Sequence, residues 1–186
     1  AILRALFKMG IPVSGKNLFP SNIQGRPTWY TIRTSKDGYI ARRDASEIMI
    51  ALNPDTALED HDKTAAGGAF IYEESIKMPL KRDDLSYYPI PAKKIAGELE
   101  KDPKLKTYSA NMVYVGVLMW LLGIEEKEME AALMFHFKGK QKPVDSNMKV
   151  IRASIEWAQA NLKKTEPYRV ERMDKTGGLI MIDGNT

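Results

Sequence analysis

The sequence predicts an α/β fold: a three-layer domain with a mostly parallel or mixed sheet and a C-terminal run of helices. Three observations predict it. Two continuous apolar runs, Ile48-Met49-Ile50-Ala51-Leu52 and Ala69-Phe70-Ile71-Tyr72, suit strands buried on both faces, as in a parallel sheet. Helical patterns alternate with strand patterns in the first half of the chain, the order that builds layered α/β domains. Three helical stretches then follow one another between Asn111 and Lys163 and are expected to cover one face.

Each element has a local reason. Ile2, Leu3, Leu6 and Phe7 form a helical stripe that Gly10 is expected to end as a C′ residue. Ile11-Pro12-Val13 reads as a short strand entering a long polar loop. Thr28 to Thr34 is rich in β-branched and aromatic residues, and Lys36-Asp37-Gly38 supplies a hairpin turn, so Tyr39-Ile40-Ala41 is expected to return as a strand. Asn53-Pro54 ends the first buried strand, and Thr56 to Lys63 reads as a helix. Gly67-Gly68 precedes the second buried strand. Tyr87 to Pro91 is a shorter, edge-like strand, because proline cannot donate to a ladder. Ala92 to Lys101 is the next helix. Asn111 to Leu122 is strongly apolar, with Gly116 allowing close helix packing and Gly123 stopping it. Glu125 to Phe137 places Met129, Ala132, Leu133 and His136 on one expected inner side. Val144 to Lys163 turns Met148, Ile151, Ile155, Ala158 and Leu162 inward. Thr165 to Lys175 reads as a polar linker.

The bulk numbers narrow the chemistry. The chain has 186 residues, 44% hydrophobic and 28% charged, the composition of a soluble globular domain. It has no cysteine, which excludes disulfides, thiol nucleophiles and iron–sulfur ligation from this chain and is compatible with a reducing cytoplasm. His61 and His136 lack metal-ligand spacing, so no metal site is expected. The net charge of +4 is mildly basic. No apolar run has the roughly 20 residues that cross a bilayer, so no membrane role is expected. Both ends read as cuts in a longer polypeptide: Ala1 begins already in helical rhythm, and Gly178 to Gly184 reads as a strand running into a turn.

The stretch from Pro12 to Trp29 concentrates glycines, prolines, amides, two cations and a tryptophan, and long ordered loops of this kind tend to carry function. Ser14-Gly15-Lys16-Asn17 combines a glycine, flanking donors and an ammonium, the groups that cradle a phosphate. It lacks the spacing of a P-loop, and a turn with Lys16 in solvent accounts for the same residues. Asn22-Ile23-Gln24-Gly25-Arg26 offers amides and a guanidinium suited to carboxylate or phosphate, or alternatively a loop that satisfies itself. Asn53 lies where open α/β sheets place ligands, and a helix cap explains it more simply. Lys138, Lys140, Lys142, Lys149 and Arg152 form a basic cluster without interleaved aromatics, which argues against nucleic acid. The run Glu125 to Glu128 fits a helix's first turn. No set of residues forms a catalytic constellation.

Pro12-Val13-Ser14-Gly15-Lys16-Asn17-Leu18-Phe19-Pro20-Ser21-Asn22-Ile23-Gln24-Gly25, followed by Pro27-Thr28-Trp29, resembles the gamma domain of 2-oxoacid:ferredoxin oxidoreductases, in the form fused ahead of the alpha (pyrimidine-binding) domain. The resemblance continues through Asp37-Gly38-Tyr39, Ala41-Arg42-Arg43, Ala51 to Pro54 and Asn111 to Gly116. Thr176 to Thr186 is similar to the entry into the alpha domain. The resemblance implies residues 1–164 as an N-terminally truncated gamma domain and 165–186 as a linker and the start of the alpha domain. It implies oxidative decarboxylation of a 2-oxoacid to acyl-coenzyme A, with ferredoxin as acceptor. Thiamine diphosphate, Mg and an iron–sulfur cluster would sit in other domains, and this piece alone would be inactive. It also implies the beta subunit, the remainder of the alpha domain, ferredoxin and coenzyme A as partners. Ser14, Gly15, Lys16, Asn17, Asn22, Gln24, Gly25 and Arg26 then become residues of a loop facing coenzyme A or a neighbouring domain. A stand-alone coenzyme A- or nucleotide-binding module is the alternative from another class, and a nucleic-acid scaffold a third.

Overall fold

The computed structural model describes residues 1–18, 27–78 and 82–182. The elements in chain order are α1 (Ile2–Lys8), β1 (Val13–Leu18), β2 (Trp29–Thr34), β3 (Ser46–Ala51), α2 (Ala57–Asp62), β4 (Thr64–Glu73), β5 (Ser86–Ile90), α3 (Ala92–Leu99), α4 (Pro103–Leu122), α5 (Glu126–His136) and α6 (Gln141–Asn161). The chain forms two compact units, one of Ala1–Arg42, Leu122–Val144 and Arg169–Thr186, the other of Arg43–Leu121 and Asp145–Tyr168. The α/β class expected from the sequence is what the chain adopts.

The second unit is organised by a parallel sheet of order β3-β4-β5. Register explains its layers. Phe70 lies opposite Tyr87 and Met49, and Tyr72 opposite Ala51, so these residues share one face. They cluster there with Ala57 of α2 and with Ile76. Ile71 lies opposite Tyr88, and Glu73 opposite Ile90, on the other face. That face meets α4: Tyr114 donates its hydroxyl to Glu73 at 3.0 Å, and the Tyr88 and Trp120 rings meet edge to face at 6.3 Å. The helix α4 in turn packs on α6. A Cβ at Gly116 would lie 2.6 Å from the Ile151 carbonyl oxygen and 2.7 Å from the Ser154 Cβ, so only glycine permits this approach. The edge position expected for Tyr87 to Pro91 is observed in β5.

The stretch after α6 lacks regular structure but is anchored. Glu166, 4% exposed, accepts a short hydrogen bond from the Tyr88 hydroxyl. Lys164 Nζ lies 3.3 Å from Glu166 Oε1 and donates to the carbonyls of Leu121 and Tyr168.

The first unit holds α1, the antiparallel pair β1–β2 and α5. Ala5, Leu6, Met9 and Ile11 are buried, as are Met129, Ala132 and Leu133 of α5. Residues 170–176 are tied to this unit. Met173 N–H donates to Met9 O at 2.8 Å, Lys175 N–H to Gly10 O at 3.0 Å, and Thr176 Oγ1 to Phe7 O at 2.7 Å. Gly10 has φ +76° and faces the Met173 carbonyl so closely that no side chain fits, as its place just past α1 requires. Arg172 clamps the same segment through Glu125 and Glu128.

Two local expectations are corrected. Val13 to Leu18 is a strand rather than a loop, because its whole length pairs with Trp29 to Thr34. Tyr39-Ile40-Ala41 forms no strand, although Gly38 makes the turn at φ +78°. Within this two-stranded sheet, β1 fills the place beside β2 that the returning segment was expected to take. Tyr39 and Ile40 are left 65% and 75% exposed.

Candidate functional site

Four of the residues expected to form a functional loop, Ser14, Gly15, Lys16 and Asn17, lie on β1. Asn22, Gln24, Gly25 and Arg26 lie outside the described residues. In an antiparallel pair, directly opposed residues share a face and successive residues alternate. Ser14 opposes Arg33, Lys16 opposes Thr31 and Leu18 opposes Trp29; Gly15 opposes Ile32 and Asn17 opposes Tyr30. The four residues therefore divide. Ser14 and Lys16 share one face with Arg33, Thr31 and Trp29, while Gly15 and Asn17 share the other with Tyr30 and Ile32.

The second of these faces packs toward α1. A Cβ at Gly15 would meet the Tyr30 ring at 2.9 Å and the Leu3 side chain at 3.2 Å. Gly15 is thus the floor beneath a cross-strand tyrosine. A strand also alternates its N–H groups between the ladder and the outer edge, so no run of consecutive N–H groups converges on an anion here. Anion contacts at β1 fall to side chains.

The first face carries those side chains. Lys16 is exposed, and among the described residues it has no hydrogen bond or ion pair. Arg33 is half-buried, and its Nε is buried without a hydrogen-bond partner among the described residues. The Ser14 hydroxyl donates to Ile40 O at 3.3 Å, which brings the 39–42 chain beside the Ser14–Arg33 pair. Arg33 escaped notice in the sequence because its place beside Ser14 and Lys16 depends on the β1–β2 register. The signal was present only as alternation, Thr31 and Arg33 between Tyr30, Ile32 and Thr34.

Other candidate residues are engaged in structure. Asn53 Oδ1 accepts the Asp55 N–H at 3.0 Å, and its carbonyl accepts the Thr56 N–H at 3.2 Å, a turn that leads into α2. His61 is 3% exposed, with Nε2 2.7 Å from the Tyr87 hydroxyl and Nδ1 3.3 Å from Asp62 Oδ1. Arg82 grips Asp84 with Nε and Nη2 and donates through Nη1 to the carbonyls of His61 and Thr64. Hydrogen bonding from Arg82 holds the Asp84 carboxyl below the usual carboxylate range.

His136, expected on the inner side of α5, is exposed, because the buried stripe runs through Met129, Ala132 and Leu133 and ends one turn earlier. It lines an open cavity of about 620 Å³ with Arg4, Phe135 and Lys138. The Arg4 guanidinium stacks 3.5 Å from the Phe135 ring centroid. His136 and Lys138 sit at the C-terminal end of α5, where cations answer the last carbonyls. No group of three or more His, Asp or Glu side chains suited to a metal occurs among the described residues. No helix there is long and apolar enough to cross a membrane.

Comparison with known proteins places this arrangement. The family model for pyruvate ferredoxin/flavodoxin oxidoreductase matches residues 1–157. The chain is 31% identical over 122 residues to the ketoisovalerate oxidoreductase subunit VorA of Methanothermobacter thermautotrophicus, covering 64% of this chain and 24% of that protein. The chain thus spans about a quarter of the length of this relative and of its counterpart in Methanothermobacter marburgensis. Its structure is similar to that of the 2-oxoglutarate:ferredoxin oxidoreductase of Magnetococcus marinus solved with 2-oxoglutarate, coenzyme A and succinyl-CoA bound. The TM-score is 0.81 at 25% identity, over 94% of this chain and 30% of that one. The gamma subunit of the keto/oxoacid ferredoxin oxidoreductase of Geobacter sulfurreducens shares the fold, with a TM-score of 0.66 at 15% identity over 86% of this chain and 88% of that one.

Proposed function

Because this chain belongs to the pyruvate ferredoxin/flavodoxin oxidoreductase family, we propose that it is the gamma-domain portion of the alpha subunit of a 2-oxoacid:ferredoxin oxidoreductase. In this reading residues 1–164 are gamma domain and residues 165–186 lead into the alpha domain. The complex would oxidatively decarboxylate a 2-oxoacid to acyl-coenzyme A and pass the electrons to ferredoxin in the cytoplasm. The observation that carries the reading is the match across 94% of this chain to an oxidoreductase that holds coenzyme A. The fold shared with a gamma subunit, over 86% of this chain and 88% of that one, supports the domain assignment.

The chemistry is assigned to other parts of the complex. This chain has no cysteine for an iron–sulfur cluster. The cofactors would supply decarboxylation and electron transfer from domains outside it. The beta subunit, the rest of the alpha domain and ferredoxin are the implied partners.

What remains for this chain is binding and assembly. Ser14, Gly15, Lys16 and Asn17 on β1, with Asn22, Gln24, Gly25 and Arg26 beyond it, are assigned to a coenzyme A-facing segment. Lys16 is the residue of this set whose charge is exposed on β1 without a partner among the described residues. In the full complex Lys16→Ala is expected to raise the Michaelis constant for coenzyme A severalfold. An unchanged constant, with activity and assembly normal, removes Lys16 from the coenzyme A site.

A further inference from the structure

The face of β1–β2 turned away from α1 joins two cations that the sequence alone does not place together. Lys16 and Arg33 are diagonal neighbours across the pair, since Ser14 opposes Arg33 and Lys16 opposes Thr31. Diagonal positions of this kind stand about 7–8 Å apart, within joint reach of one small anion for two long side chains. Ser14, Lys16, Leu18, Trp29, Thr31 and Arg33 make up this face, and none of them is a carboxylate.

Arg33 supplies the second observation. Its Nε is buried and has no hydrogen-bond partner among the described residues. A charged donor taken from water and left without an acceptor is costly, and native structures keep few such groups. Nε and the adjacent Nη form the planar fork that matches two oxygens of a carboxylate or phosphate. The neighbouring Ser14 hydroxyl donates to Ile40 O and makes no hydrogen bond with Arg33.

We propose that Arg33 and Lys16 form an oxyanion-binding site on this face, Arg33 by a two-point hydrogen bond and Lys16 by its charge. The ligand is a small molecule bearing a phosphate or carboxylate. Within the complex proposed above, on which the ligand's identity rests, two sources have that chemistry: the phosphates of coenzyme A and the second carboxylate of a 2-oxo dicarboxylic acid.

The test uses the full complex with Arg33→Met, Arg33→Lys and, separately, Lys16→Ala. Michaelis constants are measured for coenzyme A against dephospho-coenzyme A, and for 2-oxoglutarate against pyruvate. Arg33→Met is expected to raise one constant about tenfold or more, with kcat falling less than that constant rises. Arg33→Lys, which keeps the charge and loses the fork, should recover part of the difference. A rise for coenzyme A that shrinks with dephospho-coenzyme A identifies its 3′-phosphate. A rise for coenzyme A that is equal with dephospho-coenzyme A identifies its pyrophosphate. A rise for 2-oxoglutarate and not for pyruvate identifies a carboxylate, which sustains this site while the coenzyme A reading fails.

If Lys16→Ala moves the coenzyme A constant and neither Arg33 variant moves any, the coenzyme A reading stands and the paired site is overturned. The site is equally overturned if Arg33→Met leaves every constant within twofold. It is overturned too if that variant releases the beta subunit in gel filtration with constants unchanged, because Arg33 then meets a partner's carboxylate.

Discussion

The parallel sheet and the β1–β2 pair treat their cations in opposite ways. Beside the sheet, Arg82 spends its guanidinium on Asp84 and on the backbone carbonyls of His61 in α2 and Thr64 at the start of β4. On β1–β2, Arg33 and Lys16 have no acceptor among the described residues. Burial differs in the same sense. Phe70, Ile71 and Ile90 are fully buried in the sheet, whereas Lys16 on β1 is exposed and Arg33 on β2 only half-buried. A side chain whose bonds close within its own unit serves architecture. One left with unspent donors is available to a ligand or a neighbour. Substitutions in the sheet should therefore disturb folding first, and substitutions at Lys16 and Arg33 should disturb binding first.

The largest effect is expected at Phe70. Its ring touches Tyr72 at a centroid distance of 5.4 Å and His61 at 5.5 Å, with nothing exposed. Truncation leaves a cavity between the sheet and α2 that neither neighbour can fill. Phe70→Ala should cost about 3–5 kcal/mol in urea unfolding. A cost under about 1 kcal/mol would show that this sheet is no more committed to packing than β1–β2, and the contrast would collapse.

A smaller and more specific effect is expected at Tyr114. Its hydroxyl is the donor to Glu73, a carboxylate only 8% exposed at the end of β4. Tyr114→Phe keeps the ring and removes the bond, at a cost of about 1–3 kcal/mol. Burial, and then the nearby Glu73 charge, push the Tyr114 phenol above its ordinary range, so it stays protonated in the folded protein. The bond's contribution should be constant below about pH 10, where the unfolded tyrosine is neutral too, and fade as pH rises beyond that. Denaturant titrations of both proteins at pH 7, 9 and 10.5 check the sign.

How much of this was legible in the sequence follows from the physics of each part. The buried strands β3 and β4 announced themselves as apolar runs, and Gly116 as the point where α4 meets another helix. Those signals are local, and burial on both faces enforces them. The strand β1 was hidden because Ser14, Gly15, Lys16 and Asn17 are poor strand formers taken singly. Pairing with β2, and Tyr30 lying over Gly15, override that preference. Tyr39 and Ile40 carry a strand pattern with no strand to join. The segment after α6 has no period at all. Its anchors, Glu166 to Tyr88 and Arg172 to Glu125, join residues far apart in the chain. Of the candidate site, Lys16 was legible as a cation beside a glycine and flanking donors. Arg33 was not, because its pairing with Lys16 exists only in the register.

The smallest effect belongs to Arg172, and it tests the contrast inside the first unit itself. Like Arg33, Arg172 is an arginine of that unit; unlike Arg33, it is fully spent. Nε and Nη2 grip Glu125 at 2.9 and 2.6 Å, and Nη2 also reaches Glu128 at 2.6 Å. Hydrogen bonding from Arg172 holds the Glu125 carboxyl below its ordinary range. A carboxylate depressed in the folded state stabilises at pH values above its unfolded value. That stabilisation is lost as pH falls through the depressed value. The pair is exposed and screened, so Arg172→Ala should lower the melting temperature of the full chain only slightly at pH 7, and less in high salt. The difference between variant and parent should shrink as pH falls and Glu125 becomes protonated in both. Arg33→Met should show no such acid-dependent difference, because no carboxylate among the described residues answers Arg33. An acid-dependent loss at Arg33 as well would mean that a carboxylate serves it after all, and the two arginines would no longer differ in kind.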